Sequence, residues 1–540
     1  MSANPSPSPA RGPSRLGRLL RPVQEIGSHR WVEFLAYRPP LVIGLAGLSA
    51  FVGCVLYALL NGIPQPAVHD EFSYLLAGDT FASGRLTNPT HPMWRHFETF
   101  HVLQQPTYAS KYPPGQGAFL ALGQILGHPI LGVWISVALM AAGISWMLFQ
   151  WVPPKWALLG SALAVVQVGF PTYWGQSYWG GAVAALGGAL VYGGLRAAAA
   201  APRLRHGLLF GTGAMLLATT RPLEGVLMGL PAGLVLIGLL LKKKGRGRAS
   251  LAKRVLVPAT IIVVATGAGL AYENWSVTGE LLRMPYQAYN QTYHMGAQFP
   301  WQKPSPVMDY RHKALSDYKA HWILERAAVQ REHFELTLLF KFLRLQSFLL
   351  GPGLLTLMLI GARMRDRWIL LAIGSSVALV GAVMLTKGAY PHYAAPATGP
   401  LLILVLEGLR RLSVMRGRHI HGPTLATLIL LAYLPYFAVR TSSLSGPETV
   451  AFSKERKRVL ERLKATNGND LVIVRYGENH NFHREWVYNR AVIDSADVVW
   501  ARYMSQEENQ ELMRYFEERR TWLLDVNGST WLRPYREGPS

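Results

Sequence analysis

Long apolar stretches alternate with short basic runs along most of the chain, from residue 41 to residue 439. A helix needs about 20 predominantly apolar residues to cross the roughly 30 Å of hydrocarbon in a bilayer. The pattern therefore predicts a polytopic α-helical membrane protein with about eleven spans. The predicted spans are residues 41–60, 129–151, 156–170, 181–201, 206–220, 222–241, 255–272, 346–362, 368–386, 393–409 and 424–439.

Composition favours a membrane protein over a soluble or disordered chain. Half of the 540 residues are hydrophobic and 16% are charged, whereas soluble domains average about 25% charged residues. The single cysteine, Cys54, lies inside the first predicted span. The chain therefore cannot form an intramolecular disulfide or a cysteine-based metal site.

Basic residues lie mainly on one side of the predicted membrane. The basic runs 203–206, 242–254, 363–367 and 410–418 fall on the side of the arginine-rich start, whereas the tail after Arg440 has fifteen Lys and Arg against fifteen Asp and Glu. Because cytoplasmic loops carry an excess of Lys and Arg, we predict a cytoplasmic N-terminus and an external C-terminus. Basic loops against anionic lipid headgroups also account for the net charge of +23 without a nucleic-acid partner.

This topology divides the chain into three regions. Within the last region, residues 470–476 and 521–526 have the apolar pattern of buried strands, and 505–520 has a charged helical pattern. We therefore expect a small α/β domain outside the membrane. The predicted regions are a basic cytoplasmic segment 1–40, a transmembrane domain 41–440 with outer loops 61–115 and 273–344, and an extracytoplasmic α/β domain 441–540.

Two adjacent acids, Asp70 and Glu71, follow the first predicted span. Carboxylates at a membrane boundary are costly to bury. The pair fits a general base or metal-binding pair that faces a cavity. It fits equally well a helix N-terminus, where acids complement the helix dipole.

Basic residues also occur at the predicted outer boundary. Lys111 lies among tyrosines and is suited to a lipid phosphate, although taken alone it is better explained by snorkelling toward headgroups. Arg221 either pairs with Glu224 or belongs to a site. The segment 387–393 contains Gly and Pro, so its freed carbonyl groups are expected to line a cavity.

An aromatic turn and a histidine cluster complete the set of candidates. The turn 173–181 is rich in Tyr and Trp, which favours an interfacial aromatic belt over a sugar or prenyl platform. Three histidines recur every five residues, at His91, His96 and His101, and Glu98 lies between the last two. This spacing does not place them on one face of a helix or of a strand. We therefore predict no metal site in this chain.

Three elements, in this order, resemble the motifs of the C-type glycosyltransferase (GT-C) superfamily. The nearest branch contains the protein O-mannosyltransferases, the lipid A aminoarabinose transferases and their bacterial relatives. The resemblance covers the first to the tenth predicted span, roughly three-quarters of the chain. The matching residues are Asp70, Glu71, Tyr74, Ser83 and Gly84 for "DE-x-x-Y" with a following "SG", Lys111, Tyr112, Pro113 and Pro114 for "K-P-P" with one extra residue, and Lys387, Tyr390, Pro391, Tyr393 and Pro396 for "K-x-x-x-Y-x-x-P".

The resemblance implies inverting transfer of a sugar from a polyprenyl-phosphate donor to a lipid, glycan or protein acceptor, without a cofactor. Asp70 would be the general base, and Glu71 a second acid or acceptor-positioning residue. A transporter or flippase of an anionic lipid or lipid-linked glycan is the alternative, because it would use the same basic cavity without chemistry. The expected substrate-binding residues are Tyr74, Lys111, Arg221, Lys387, Tyr390, His392 and Tyr393.

Overall fold

The computed structural model describes residues 29–295, 299–354, 356, 366–416, 421–442, 447–465, 468–527 and 529–535. Most of the predicted basic segment 1–40 therefore lies outside the described residues. The helices are α1 (Arg30–Ala36), α2 (Pro39–Asn61), α3 (His69–Ala82), α4 (Trp94–Phe97), α5 (Pro114–Ile125), α6 (Pro129–Trp151), α7 (Pro154–Val168), α8 (Ala182–Ala200), α9 (Leu204–Thr220), α10 (Pro222–Lys242), α11 (Gly245–Thr278), α12 (Pro285–Thr292), α13 (Lys313–Asp317), α14 (Glu325–Glu332), α15 (Phe334–Leu349), α16 (Arg367–Leu385), α17 (Thr398–Val414), α18 (Gly422–Ser442), α19 (Pro447–Lys464) and α20 (Gln506–Tyr515).

Within the described residues, seven helices are long and apolar enough to cross a membrane, namely α2, α6, α8, α10, α11, α16 and α18. The multi-pass membrane architecture is thus confirmed. Three further predicted spans form helices α7, α9 and α17, with 15, 17 and 17 residues. The predicted span 346–362 falls partly on residues that the structure does not describe. The number of spans and their orientation stay predictions.

Helix α8 lies at the centre of the bundle, and small residues allow its neighbours to approach closely. A Cβ atom at Gly188 would lie 2.1 Å from the carbonyl oxygen of Pro396, and one at Gly213 in α9 would lie 2.7 Å from the carbonyl oxygen of Gly187. Lipid tails are as apolar as helix surfaces, so the hydrophobic effect does not drive transmembrane helices together. Small residues let the helix backbones approach closely and associate through van der Waals packing.

The end of the chain forms the expected α/β domain. Its four-stranded sheet has the order β4-β3-β5-β6, with β3 parallel to β4 and β5, and β6 antiparallel to β5. The sequence pattern located β3 and β5 but missed β4 and β6. A two-stranded hairpin, β1-β2, lies between α4 and α5. The strands are β1 (Val102–Leu103), β2 (Ala109–Ser110), β3 (Asp470–Tyr476), β4 (Val498–Arg502), β5 (Arg520–Asn527) and β6 (Ser529–Pro534).

The segment 61–115 and the α/β domain share one hydrophobic core. Phe72 and Leu76 of α3 and Val102 of β1 are buried together with Leu471 of β3 and Tyr488. The α/β domain is therefore packed directly against the helix that begins with the two acids.

Candidate functional site

Glu71 holds the start of α3 in place. Its buried carboxylate accepts hydrogen bonds from the backbone N–H groups of Ala67 (2.8 Å), Val68 (3.2 Å) and Tyr178 (3.0 Å). Burial raises the pKa of Glu71, and these N–H groups act in the opposite direction. Glu71 therefore acts as an acid at a helix N-terminus, which was one of the two alternatives for the acidic pair. Its bond to Tyr178 also joins α3 to the aromatic turn 173–181.

Asp70 has a different environment from its neighbour. The Tyr112 hydroxyl donates a hydrogen bond to Oδ1, and Oδ2 lies 3.9 Å from Nε2 of His101. The Asp70 side chain is 25% exposed, so it is partly accessible to solvent. Burial raises the pKa of Tyr112, and the negative charge of Asp70 raises it further, which keeps this phenol a hydrogen-bond donor.

Lys111 is buried beside His101 within a ring of tyrosines. Its Nζ lies 2.7 Å from Nδ1 of His101 and 4.6, 5.1 and 5.2 Å from the ring centroids of Tyr289, Tyr112 and Tyr286. Burial lowers the pKa of Lys111 to about 7, and the Asp70 carboxylate opposes this effect. Burial and then Lys111 lower the pKa of His101 well below its usual range. A neutral His101 that accepts at Nδ1 carries its hydrogen on Nε2, the side of Asp70.

The β1-β2 hairpin brings His101 and Lys111 together. Val102 pairs with Ser110, and the Lys111 N–H donates to the His101 carbonyl oxygen at 3.2 Å. The residues just before and just after the paired strands are therefore adjacent in space although ten positions separate them.

Arg221 and Tyr393 extend the site toward the membrane helices. Arg221 lies between α9 and α10, with Cζ 4.6 Å from the centroid of the Tyr393 ring. Tyr74 stacks on Tyr112 with centroids 4.4 Å apart, and burial raises the pKa of Tyr74 to about 12 while nearby Arg221 opposes the shift. No ion pair joins Arg221 to Glu224, both of which lie in the described part of the chain, although the negative charge of Glu224 acts on the Arg221 guanidinium group. Both alternatives for Arg221 therefore stay predictions.

The turn 390–393 packs against the aromatic turn 173–181 to form one wall. Nδ1 of the buried His392 lies 2.9 Å from the Tyr173 hydroxyl, and the Trp179 ring is 4.8 Å from His392. Tyr390 stacks on His392 at 5.7 Å. The rings of Trp174 and Tyr178 are buried in the protein, so the aromatic-belt interpretation is wrong for those two residues.

Lys387 lies in a different group of charges. Its Nζ is buried and has no hydrogen-bond partner among the described residues. The charged neighbours that lower its pKa are Lys319 and Arg331. The structure thus brings together Asp70, Tyr74, Lys111, Arg221 and Tyr393, while Lys387 belongs to a neighbouring cluster of basic residues.

An apolar cavity of about 420 Å³ opens beside Lys111. Helices α9, α10 and α11 supply most of its lining, including Leu217, Leu230 and Leu270, and Tyr286 and Pro113 close the end near Lys111. The ammonium group therefore lies at one end of a mostly apolar cavity, whose lining also includes Glu273 and Asn274.

The other histidines of the first loop join it to the rest of the protein. His91 Nε2 lies 2.8 Å from Oδ1 of Asp494, and His96 Nδ1 lies 2.9 Å from the Arg502 carbonyl oxygen. Glu98 Oε2 is 3.3 Å from Arg311. Over the described ranges, no three His, Cys, Asp or Glu side chains are grouped so that they could hold a metal ion.

Sequence reasoning missed His101, Tyr112 and Tyr289 as members of the site. Tyr112 lies inside the Lys-Tyr-Pro-Pro element, where its proximity to Lys111 was a usable signal. Two short β-prone runs separated by a Gln-Pro dipeptide could have suggested the hairpin that places His101. Tyr289 lies 178 positions after Lys111, so only the folded structure shows their contact.

Two solved structures share this architecture. The oligosaccharyltransferase of Archaeoglobus fulgidus, tethered with an acceptor peptide, has a TM-score of 0.50 and 11% identity, over 90% of this chain and 69% of that chain. ArnT from Cupriavidus metallidurans, bound to undecaprenyl phosphate, has a TM-score of 0.50 and 13% identity, over 90% of this chain and 92% of that chain. Both are GT-C superfamily members, which confirms the GT-C fold expected from the motifs. No protein-family model and no curated protein matches the chain.

Proposed function

We propose that this protein is an integral-membrane glycosyltransferase that moves a sugar from a polyprenyl-phosphate donor to an acceptor at the outer face of the membrane. One observation carries the proposal: the partly exposed carboxylate of Asp70 and the ammonium group of Lys111 flank one imidazole, His101, and Lys111 also lines an apolar cavity. A base, a phosphate partner and a lipid groove are the three parts that such a transfer requires.

In the proposed reaction, Asp70 accepts the proton of an acceptor hydroxyl group as its oxygen attacks the anomeric carbon of the donor sugar. The new glycosidic bond forms on the face opposite the bond to phosphate, which breaks, and polyprenyl phosphate leaves with the electron pair. Attack from the opposite face inverts the anomeric configuration. The hydrogen bond from Tyr112 holds the Asp70 carboxylate in one orientation, so that it can accept the proton of the acceptor.

Lys111 and Arg221 are the proposed partners of the departing phosphate. An ammonium group and a guanidinium group placed where negative charge develops stabilise the transition state. The polyprenyl chain would lie in the cavity lined by Leu217, Leu230 and Leu270. ArnT, whose solved structure is similar to this chain, binds undecaprenyl phosphate, which supports this class of donor.

Tyr390, His392, Tyr393 and Tyr74 are the proposed walls of the sugar site. Their rings lie close to Arg221 or to the turn 173–181, and aromatic faces pack on the apolar faces of sugars. Glu71 acts mainly by holding the start of α3, because backbone N–H groups occupy its carboxylate.

The test is a screen of the purified protein against radiolabelled polyprenyl-phosphate sugars and envelope acceptors. Asp70→Asn keeps the size of the side chain but cannot take a proton, so turnover should fall about 10²-fold or more while donor binding stays within about a few-fold. Glu71→Gln should cost less turnover. Asp309→Asn, at an exposed acid of the second outer loop, is the matched control and should keep full activity.

Two outcomes would contradict the proposal. Near-wild-type transfer by Asp70→Asn would remove the catalytic assignment. Lipid movement across vesicle membranes without sugar transfer from any donor would instead favour a flippase.

A further inference from the structure

A second group of basic side chains surrounds the turn that follows α16. Lys341 Nζ donates to the carbonyl oxygens of Met384 (3.0 Å) and Thr386 (2.5 Å), and Arg344 donates to that of Gly388 (3.2 Å). These contacts hold the positively charged face of α15 against the turn. Lys387, inside the turn, therefore stands among other cations.

Lys387 and Lys319 are the inner members of this cluster. The Lys319 side chain is fully buried and its ammonium group donates to the His294 carbonyl oxygen and to Ser305 Oγ. The Lys387 Nζ atom is buried with no partner in the part of the chain that the structure describes. Burial, together with the charges of Lys319 and Arg331, lowers the pKa of Lys387 to about 8.

Within the described ranges, the cluster consists of cations alone. Of the residues that the structure describes, no Asp or Glu forms an ion pair with a member of the cluster, which consists of Lys319, Arg331, Lys341, Arg344 and Lys387. Like charges gathered in a partly buried place repel one another unless an anion neutralises them. A ligand with at least one negative charge would offset this repulsion and give the Lys387 ammonium group a hydrogen-bond partner.

The position of the cluster indicates a lipid as the source of that charge. Leu336, Leu339, Phe340 and Leu343 of α15 are exposed large apolar side chains on the same helix as Lys341 and Arg344. The turn follows directly on Leu385, the last residue of the membrane helix α16. Exposed apolar residues next to cations at the end of a span are the pattern expected where a lipid headgroup is held.

Gln330, next to Arg331 on α14, donates to the Leu385 carbonyl oxygen at 3.4 Å, which places this helix beside the same turn. We propose that Lys387, together with Lys341 and Arg344, which contact the turn, and with Arg331 on α14, forms a second phosphate site, separate from the Lys111 site, which binds the phosphate headgroup of a membrane lipid. The site does not depend on the catalytic role of Asp70. It binds lipid whether or not the protein transfers sugar, so the two proposals fail independently.

The experiment counts bound lipid by native mass spectrometry of the purified full-length protein. All variants also carry Lys111→Ala, so that lipid bound at the proposed donor site contributes little to the count. The Lys111→Ala protein should retain one phosphatidic acid in preference to phosphatidylcholine. Adding Lys387→Gln should weaken phosphatidic acid binding about tenfold, because it removes an ammonium group that has no hydrogen-bond partner among the described residues. Adding Arg331→Gln, at an exposed position where folding is not at risk, should weaken it about threefold or more.

Lys303→Gln is the matched control, because Lys303 is an exposed lysine of the same outer loop and lies outside the cluster. It should leave lipid binding unchanged. A second set of samples contains inorganic phosphate at millimolar concentration and distinguishes a free phosphate ion from a lipid headgroup as the ligand. If phosphate displaces phosphatidic acid, the site recognises the phosphate group alone. If phosphatidic acid stays bound, the site holds a headgroup that is anchored by its lipid. Equal retention of phosphatidic acid and phosphatidylcholine, or unchanged binding in both Lys387→Gln and Arg331→Gln, would overturn the proposal.

Discussion

The charge on Lys111 depends on pH within the physiological range, because burial lowers the pKa of this residue to about 7. The protonated form binds phosphate, so the contribution of Lys111 is present below pH 7 and is lost as the pH rises through that value. A phosphate monoester gains its second charge near pH 6. Binding of undecaprenyl phosphate should therefore be strongest between about pH 6 and 7 and weaken up to about tenfold by pH 8.

Fluorescence titration of the purified protein at a series of pH values measures this profile. Lys111→Ala should bind more weakly at pH 6.5 and lack the decline above pH 7, whereas the exposed Lys303→Ala should keep it. A profile in Lys111→Ala that declines as in the wild type would assign the titration to another group.

Single residues of the site were predictable to different degrees. Asp70, Tyr74 and Lys111 stand within recognisable motifs, and the structure brings them together. His101 was considered only as part of a metal cluster, because its role arises from the pairing of β1 with β2. A spacing of ten residues does not reveal such a contact when the turn between the strands is irregular.

At the scale of elements, α3 is held between the membrane helices and the α/β domain. The Phe72 and Tyr488 rings stack at 4.2 Å, and the Tyr488 hydroxyl lies 2.9 Å from Nδ1 of His69, the residue before Asp70. Tyr488→Ala should destabilise the protein by about 3 kcal/mol or more, the usual cost of deleting a buried aromatic ring. The substitution should also lower turnover, because it removes the hydrogen bond to His69 and the stacking on Phe72 that position Asp70.

Thermal unfolding and transfer assays on the same preparation test this expectation. Tyr488→Phe keeps the stacked ring and loses only the hydroxyl group, so it should retain most of the stability. Tyr503→Ala, at a partly exposed tyrosine of the same domain, is the control. Wild-type turnover in a folded Tyr488→Ala protein would show that the α/β domain does not support the site.

Elements were predicted best where a strong local pattern has clear ends. The predicted span 129–151 coincides with α6, since a proline at its first turn marks the start, and β3 coincides with its predicted strand 470–476. The predicted helix 505–520 ends instead at Tyr515, because the chain turns at Phe516 to enter β5. Strand β4 was missed, since periodicity alone does not assign a buried run of only five residues.

At the scale of the whole molecule, the fold class was predictable because apolar stretches and basic runs alternate over most of the sequence. The number of spans was not predictable in the same way. Helices α7, α9 and α17 are shorter than the roughly 20 residues that a span needs. Hydropathy alone does not decide whether such helices cross the bilayer or are enclosed by longer neighbours.

The orientation of the molecule in the membrane is a prediction that a labelling experiment can decide. The chain has one cysteine, Cys54, which is fully buried, so introduced cysteines can be labelled against a low background. Glu517→Cys lies at an exposed position of the α/β domain, and Lys244→Cys lies in the basic loop between α10 and α11. In intact cells, a membrane-impermeant maleimide should label Glu517→Cys, whereas Lys244→Cys should react only after permeabilisation. The reverse pattern would place Asp70 and Lys111 on the cytoplasmic side, because the α/β domain is packed on the helix that carries Asp70. The outer-face acceptor would then be wrong, although the contacts around Asp70 and Lys111 would be unchanged.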